Sequence, residues 1–403
     1  SGGDNNAVFL EVNEGAVSDI GTNPCNNFFS IEVVEIDDTT KPFVRFVKLN
    51  FSTGLMEIGM SETIDTTRSS LILTERYSLL NTTNEGVNVT LIGASLQTVD
   101  ETSIFLTLTE QQRVDSMVLS GSKGGDGGAL TLTILSNALQ DIGQNKNDLF
   151  QNIAIQEFDD IIGMLIVNCS VNLTNGELII FLSETVDPRL ALNTSKIGVS
   201  NETNVIDFFI VALSHVLERE ANRPVSIFLF EHTRAFIHTM SDQPGGDGER
   251  PFLHIQKDVF RDVAGNLNGP LRNVPLYCHP DIKPPSIINV TIALAKGVLT
   301  LSFSETIKQQ AAYVYLDKLH ISNVAQNKDS NLAGATYTAY FTEITVQMTE
   351  LQRVTAIKLS GTSGGDGLAA VLDIEEGAVI DLGYNKIKSV HGVTIVEAKD
   401  DIL

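Results

Sequence analysis

The chain of 403 residues contains no tryptophan, and phenylalanine and tyrosine together make up only 6% of it. No aromatic cluster of the kind that sugar recognition favours can be read from the sequence. Basic residues are scarce as well: 27 Lys and Arg stand against 50 Asp and Glu, a formal net charge of −23. Phosphate backbones and anionic lipid would be repelled, so no nucleic-acid partner is expected. No apolar run approaches the roughly 20 residues of a membrane span. The chain opens Ser1-Gly2-Gly3-Asp4 without a basic or apolar leader, so any secretion signal is expected to be removed or to lie outside this segment. The three cysteines lack metal-ligand spacing. No triad, nucleophile elbow or metalloprotease helix is present. The seven histidines (215, 232, 238, 254, 279, 320 and 391) do not recur together with carboxylates. A glycosidase needs two facing carboxylates, and nothing nominates a pair. The expectation is that the chain is not an enzyme.

Hydrophobic residues amount to 42%, enough for packed cores, and the length suits about three domains. Internal recurrence organises them. Gly-Gly-Asp recurs with its Asp at Asp4, Asp126, Asp247 and Asp366, at spacings of 122, 121 and 119. Ser-Glu-Thr begins at Ser61, Ser183 and Ser304, at spacings of 122 and 121. An Asp followed four residues later by Asn appears as Asp19/Asn23, Asp141/Asn145, Asp262/Asn266 and Asp381/Asn385. Glu-x-x-Arg appears as Glu110/Arg113, Glu231/Arg234 and Glu350/Arg353. Four markers in one register define repeats of about 121 residues. Acidic pairs or their remnants close each one at Asp37-Asp38, Asp159-Asp160, Pro280-Asp281 and Asp400-Asp401. The expected domains are 39–160, 161–281 and 282–401, with residues 1–38 matching only the last third of a repeat.

Inside a repeat the apolar period is two, the mark of strands. Val298 to Phe303, Ser103 to Thr109, Ala129 to Leu135 and Ile153 to Phe158 alternate in this way. About seven strands per repeat are expected, with one helical turn at Glu-x-x-Arg, which fits an all-β Greek-key sandwich. The motif order, above all Phe303-Ser304-Glu305-Thr306 and Asp262-Val263-Ala264-Gly265-Asn266, resembles bacterial Ig-like repeats of the S-layer type and similar repeats of algal and protist surface glycoproteins. The resemblance covers essentially the whole chain and implies tandem Ig-like β-sandwiches. One departure is Lys308, which stands where the earlier repeats carry Asp65 and Asp187 and puts any cation role of that position in doubt for the third repeat.

Asn-x-Ser/Thr sequons occur at Asn50, Asn81, Asn88, Asn168, Asn172, Asn193, Asn201 and Asn289. Some fall at equivalent places in successive repeats, so N-linked glycans and a eukaryotic secretory route are expected. Cys169 lies in the first strand of the second repeat and Cys278 near its last, strands that are commonly neighbours, so a Cys169–Cys278 disulfide is expected; buried free thiols are the alternative. Cys25 is left without a partner. The Gly-Gly-Asp loops read as wide turns rather than phosphate cradles, because a strand and not a helix follows them. Glu-x-x-Arg reads as an i,i+3 ion pair. No cofactor or metal ligand set is nominated, although calcium at the repeat junctions is open, with Asp37, Asp38, Asp159, Asp160, Asp400 and Asp401 as candidates.

These readings converge on a structural protomer of an extracellular, glycosylated fibre or stalk. The partner is expected to be the protein itself, joined head to tail by strand complementation at the incomplete N-terminal repeat. The alternative is a cell-surface adhesin that binds carbohydrate or protein through sandwich loops; an enzyme whose catalytic domain lies elsewhere is the third.

Overall fold

A computed structural model describes residues 3, 6–67, 69–81, 87–97, 100–187, 192–201, 209–210, 214–218, 224–325 and 329–397. The protein is mostly β and forms two compact units: residues 1–163 with 261–266, and residues 164–260 with 267–403.

The strands follow from alternation. In Val44–Asn50, Val47 and Leu49 point inward and are 2% and 0% exposed, while Lys48 and Asn50 are partly open. In Val298–Phe303, Leu299, Leu301 and Phe303 are buried and the residues between them are not. Such a pattern buries one face of a pleated strand and fixes its register, because a slip of one residue would invert every side chain.

In the first unit, strands Val44–Asn50, Leu55–Met60 and Ser103–Thr107 pair antiparallel, and Tyr77–Asn81 pairs with Leu130–Ile134. Strand Phe150–Phe158 links the two groups. Its first half runs antiparallel to Leu130–Ile134, and its second half runs parallel to Val44–Asn50. Inward residues of both groups, including Leu49, Ile58, Leu79, Ile104 and Leu132, form one core. Each fully buried side chain of this size contributes about 1.5–3 kcal/mol.

The second unit repeats this arrangement. Leu271–Pro275 runs antiparallel to Phe252–Ile255, and Tyr277–His279 then runs parallel to Ile166–Asn172. Likewise Val390–Thr394 pairs with Ala370–Ile374, and Val396–Glu397 with Ile287–Ala293. Among the described residues, eight strands lie in 39–160 and nine in each of 161–281 and 282–401, against about seven expected. The surplus comes from edge strands of two or three residues, too short to show a period, and from the split closing strand.

Three helices occupy equivalent places: α1 (Glu110–Val118), α2 (Glu231–Thr239) and α3 (Glu350–Lys358). Each is nine residues long, where one turn was expected. The helix continues because residues beyond the Arg, such as Val114 and Met117 or Ala235 and His238, are buried at helical spacing. Thr109 and Thr349 cap α1 and α3 through complete capping boxes with Gln112 and Gln352. Phe230 stands at this place in α2 and supplies no side-chain cap.

Near the N-terminus, Phe9–Val12 and Phe28–Glu32 form a two-stranded antiparallel sheet. Val8, Phe9, Leu10, Phe28, Phe29 and Ile31 on it are between 42% and 65% exposed.

Candidate functional site

On the first two helices the Arg of Glu-x-x-Arg reaches the closing Asp of its own repeat. On α1, Arg113 Nε and Nη2 bind Glu110 at 2.7 and 2.8 Å, as a bidentate i,i+3 pair. Its Nη1 donates to Asp160 Oδ2 at 2.8 Å and to the Phe51 carbonyl at 3.0 Å. On α2, Arg234 binds Glu231 in the same way at 2.7 and 2.8 Å and donates to Asp281 Oδ2 at 2.9 Å and to the Leu173 carbonyl. Both guanidinium groups are buried, at 6% and 5% side-chain exposure. On α3, Arg353 keeps the pair with Glu350 and a bond to the Leu294 carbonyl at 3.2 Å, but its side chain is 27% exposed. The ion pair expected from sequence is present in all three helices. The sequence did not announce the buried Asp that joins it in α1 and α2.

In the second unit further markers converge on this arginine. Arg234 Nη2 lies 3.3 Å from Oε2 of Glu305, the acid of Ser-Glu-Thr in the following repeat. Thr306 of that same tripeptide returns the contact: its backbone N and its Oγ1 each donate to Glu231 Oε1 at 2.7 Å. Asp381, from the Asp-to-Asn turn, completes the group. Ligand oxygens of Asp281, Glu305 and Asp381 all lie within 4.8 Å of one another. The three residues are 6%, 5% and 0% exposed. Asn385 ties the turn down, donating its backbone N to Asp381 Oδ1 at 2.7 Å and its Nδ2 to the Asp281 carbonyl at 3.1 Å. Gly245 of the Gly-Gly-Asp-Gly loop, at φ +97°, seats its backbone against the Leu382 carbonyl, where a Cβ would collide.

The electrostatic consequence is crowding. Burial, then the charge of Asp281, pushes the Glu305 carboxyl up to about 8. Burial likewise pushes Asp381 up to about 7, against the lowering effect of its bonds from Asn385. Arg234 is raised as well: burial disfavours its charge, but bonds and charges from Glu231, Asp281 and Glu305 more than offset this and hold it firmly protonated. Asp381 Oδ2 is buried and receives no hydrogen bond.

The first unit contains related arrangements. Ligand oxygens of Asp38, Glu62 and Asp141 also lie within 4.8 Å of one another, but Asp38 is exposed and Glu62 half-buried. Asp141 has both oxygens bonded by Asn145, at 2.8 and 3.0 Å. Burial and the charges of Asp141 and Asp38 raise the Glu62 carboxyl. Asp262 is 1% exposed and raised chiefly by burial, with the charge of Asp160 adding to it.

No metal ligand set was nominated from sequence, whereas the fold gathers carboxylates closely enough to share an ion. Of the junction acids that were singled out, Asp38 belongs to such a group and Asp160 binds Arg113. Asp159 instead accepts the Lys123 backbone N at 3.2 Å, and Asp37 is not among the grouped ligands. Asp400 and Asp401 lie outside the described residues. Glu62, Asp141, Asp281, Glu305 and Asp381 were not among the candidates. Their signal was present, because each sits in a recurring motif, but nothing in the spacing says that the motifs meet. Lys308 does not join the carboxylates. Its Nζ lies 3.7 Å from the Tyr384 ring centroid and 4.9 Å from that of Tyr313, a cation–π contact.

The Gly-Gly-Asp loops follow helix C-termini, whose partial negative charge disfavours phosphate. Asp126, Asp247 and Asp366 bond their own backbone two residues on, as expected of turns. Their other oxygen receives Nδ2 of Asn81, Asn201 and Asn323 respectively. Asn81 and Asn201 are sequon residues, but Asn323 is not, so the recurrence of Asn here has a structural cause. Asn81 is 4% exposed. Asn88, Asn168, Asn193 and Asn289 are exposed, and Asn50 and Asn172 are half-buried.

Cys169 and Cys278 are buried thiols on neighbouring parallel strands. The register sets Val171, not Cys169, opposite Cys278, so the sulfurs are offset along the strands. Burial raises both thiols to about 12, which suppresses the reactive thiolate. Cys25 is half-buried.

No protein-family model matches the chain, and no curated protein matches it. Among solved structures, it is similar to the N-terminal part of the bacterial S-layer protein SbsC, at 8% identity and a TM-score of 0.21, covering 60% of this chain and 44% of that one. SbsC domains 1–6 match at 10% identity and a TM-score of 0.21, over 90% of this chain and 55% of that one. The eight N-terminal Ig domains of Down syndrome cell adhesion molecule match at 7% identity and 0.17, over 89% and 45%. This chain thus spans about half the length of these proteins. At these scores the likeness carries no argument about fold or function.

Proposed function

We propose that the chain is a structural protomer of an extracellular, glycosylated fibre or stalk, built from tandem Ig-like sandwiches at 39–160, 161–281 and 282–401. The observation that carries this reading is the buried junction of the second unit. There the Glu-x-x-Arg and closing Asp of one sequence repeat bind the Ser-Glu-Thr and Asp-to-Asn turn of the next. Here the recurring residues serve the joining of repeat to repeat, as in arrays where each repeat is stabilised by its neighbours.

The exposed apolar sheet formed by Phe9–Val12 and Phe28–Glu32 supports self-association by strand addition, since two strands alone are marginal in water. Glycans at Asn88, Asn168, Asn193 and Asn289 would shield sheet edges from unwanted pairing, and a Cys169–Cys278 bond belongs to the same extracellular reading. Electron microscopy of the native material tests it: a periodic fibre is the expected result, and monodisperse single chains at every concentration would sink it. Residues 39–403 expressed alone should assemble slowly or not at all. Normal fibre growth from that fragment would remove the N-terminal strands from the mechanism.

A further inference from the structure

We infer that Asp281, Glu305 and Asp381 bind one divalent calcium ion, which locks two consecutive sequence repeats together. Three carboxylates, each at least nine-tenths buried, converge within 4.8 Å. The cation beside them is Arg234, and two of its nitrogens, Nε and Nη2, are already held by Glu231. One guanidinium cannot balance three buried carboxylates, and an uncompensated buried charge is strongly disfavoured.

A second observation points to a ligand. Asp381 is 0% exposed, and its Oδ2 receives no hydrogen bond although Oδ1 of the same group is fully engaged by Asn385. A buried carboxylate oxygen without a donor is rare and calls for an ion, a proton or a water. The corresponding Asp141 of the first unit has both oxygens bonded by Asn145, in a more open group. The inference concerns the second unit, which holds all three carboxylates of the buried trio.

The donor set selects the metal class. The three ligands are all carboxylates, hard oxygen donors that suit calcium or magnesium rather than zinc or copper. They come from three separate segments, and calcium tolerates such irregular geometry, whereas magnesium demands a near-ideal octahedron.

The full chain, freed of metal with a chelator, should bind calcium at this site with a Kd of about 10⁻⁵–10⁻³ M. Magnesium in tenfold excess should leave the calcium bound. At calcium about 100-fold above Kd, the folded-to-unfolded ratio of the second unit should rise about 100-fold. Asp381→Asn and Glu305→Gln should each abolish this site. Both should remain folded, because they remove repulsion. The exposed control Glu343→Gln should bind as the parent does. Unchanged calcium stoichiometry and affinity in Asp381→Asn would overturn the inference. So would a parent chain that binds no calcium at millimolar concentration. The inference does not rest on fibre formation, and either can fail without the other.

Discussion

Replacing Arg234 with Met separates a buried network from a surface ion pair. Arg234 reaches Glu231, Asp281, Glu305 and the Leu173 carbonyl from a side chain that is 5% exposed. Met fills much of the volume but strands Asp281 and Glu305 beside Asp381. Removing one partner from a buried charge network costs about 3–5 kcal/mol. Proton uptake by Glu305 and Asp381 caps that cost, so it should be smallest in mild acid and grow toward pH 8. The equivalent Arg353→Met disturbs a pair whose Glu350 side chain is 73% exposed, and its cost should be close to nothing. Urea denaturation followed by circular dichroism, in chelator, measures both variants against the parent. The double variant Arg234→Met, Glu305→Gln should recover about 1–2 kcal/mol, because it removes one of the stranded charges. Equal costs for the two arginines, or a cost for Arg234→Met that does not change with pH, would refute the network argument.

Other outcomes follow from the same geometry. Glu305 and Asp381 are raised from ordinary values of 4.5 and 3.8 to about 8 and 7, so the folded chain holds protons that the unfolded chain releases. Their contribution to metal-free stability is therefore full below pH 4 and lost as pH rises through 7 to 8, a slope that Asp381→Asn should flatten in pH-dependent denaturation. Cys169 and Cys278 should resist alkylation in the native protein, while Cys25 reacts. After unfolding without reductant, a chain carrying the proposed bond exposes one reactive thiol, and three would exclude the bond. Peptide mapping after secretion from eukaryotic cells should find glycans on Asn168 and Asn289 and none on Asn81, whose Nδ2 is 2.6 Å from Asp126.

Strand positions were readable because a period of two survives in segments of five residues or more. Leu299, Leu301 and Phe303 face the core as their alternation requires. Short edge strands such as Ser95–Leu96 carry no period and were invisible. The helices were underestimated because Glu-x-x-Arg drew attention to one turn, although Val114 and Met117 continued the apolar face. Sequons at Asn81 and Asn201 looked like evidence for glycans by their equivalent placement. Asn323 shows that the placement belongs to the Gly-Gly-Asp loop, whose Asp needs a donor.

The sequence by itself determined the period of about 121 residues, the strand-rich composition and the acidic balance, because recurrence, alternation and charge are properties of order along the chain. It also supplied every member of the carboxylate trio inside a recurring motif. Only the tertiary structure decided that Asp281, Glu305 and Asp381, separated by 24 and 76 positions, share one buried volume with Arg234. Burial and mutual repulsion are functions of distance in space, and no periodicity along the chain encodes which oxygen is left without a donor.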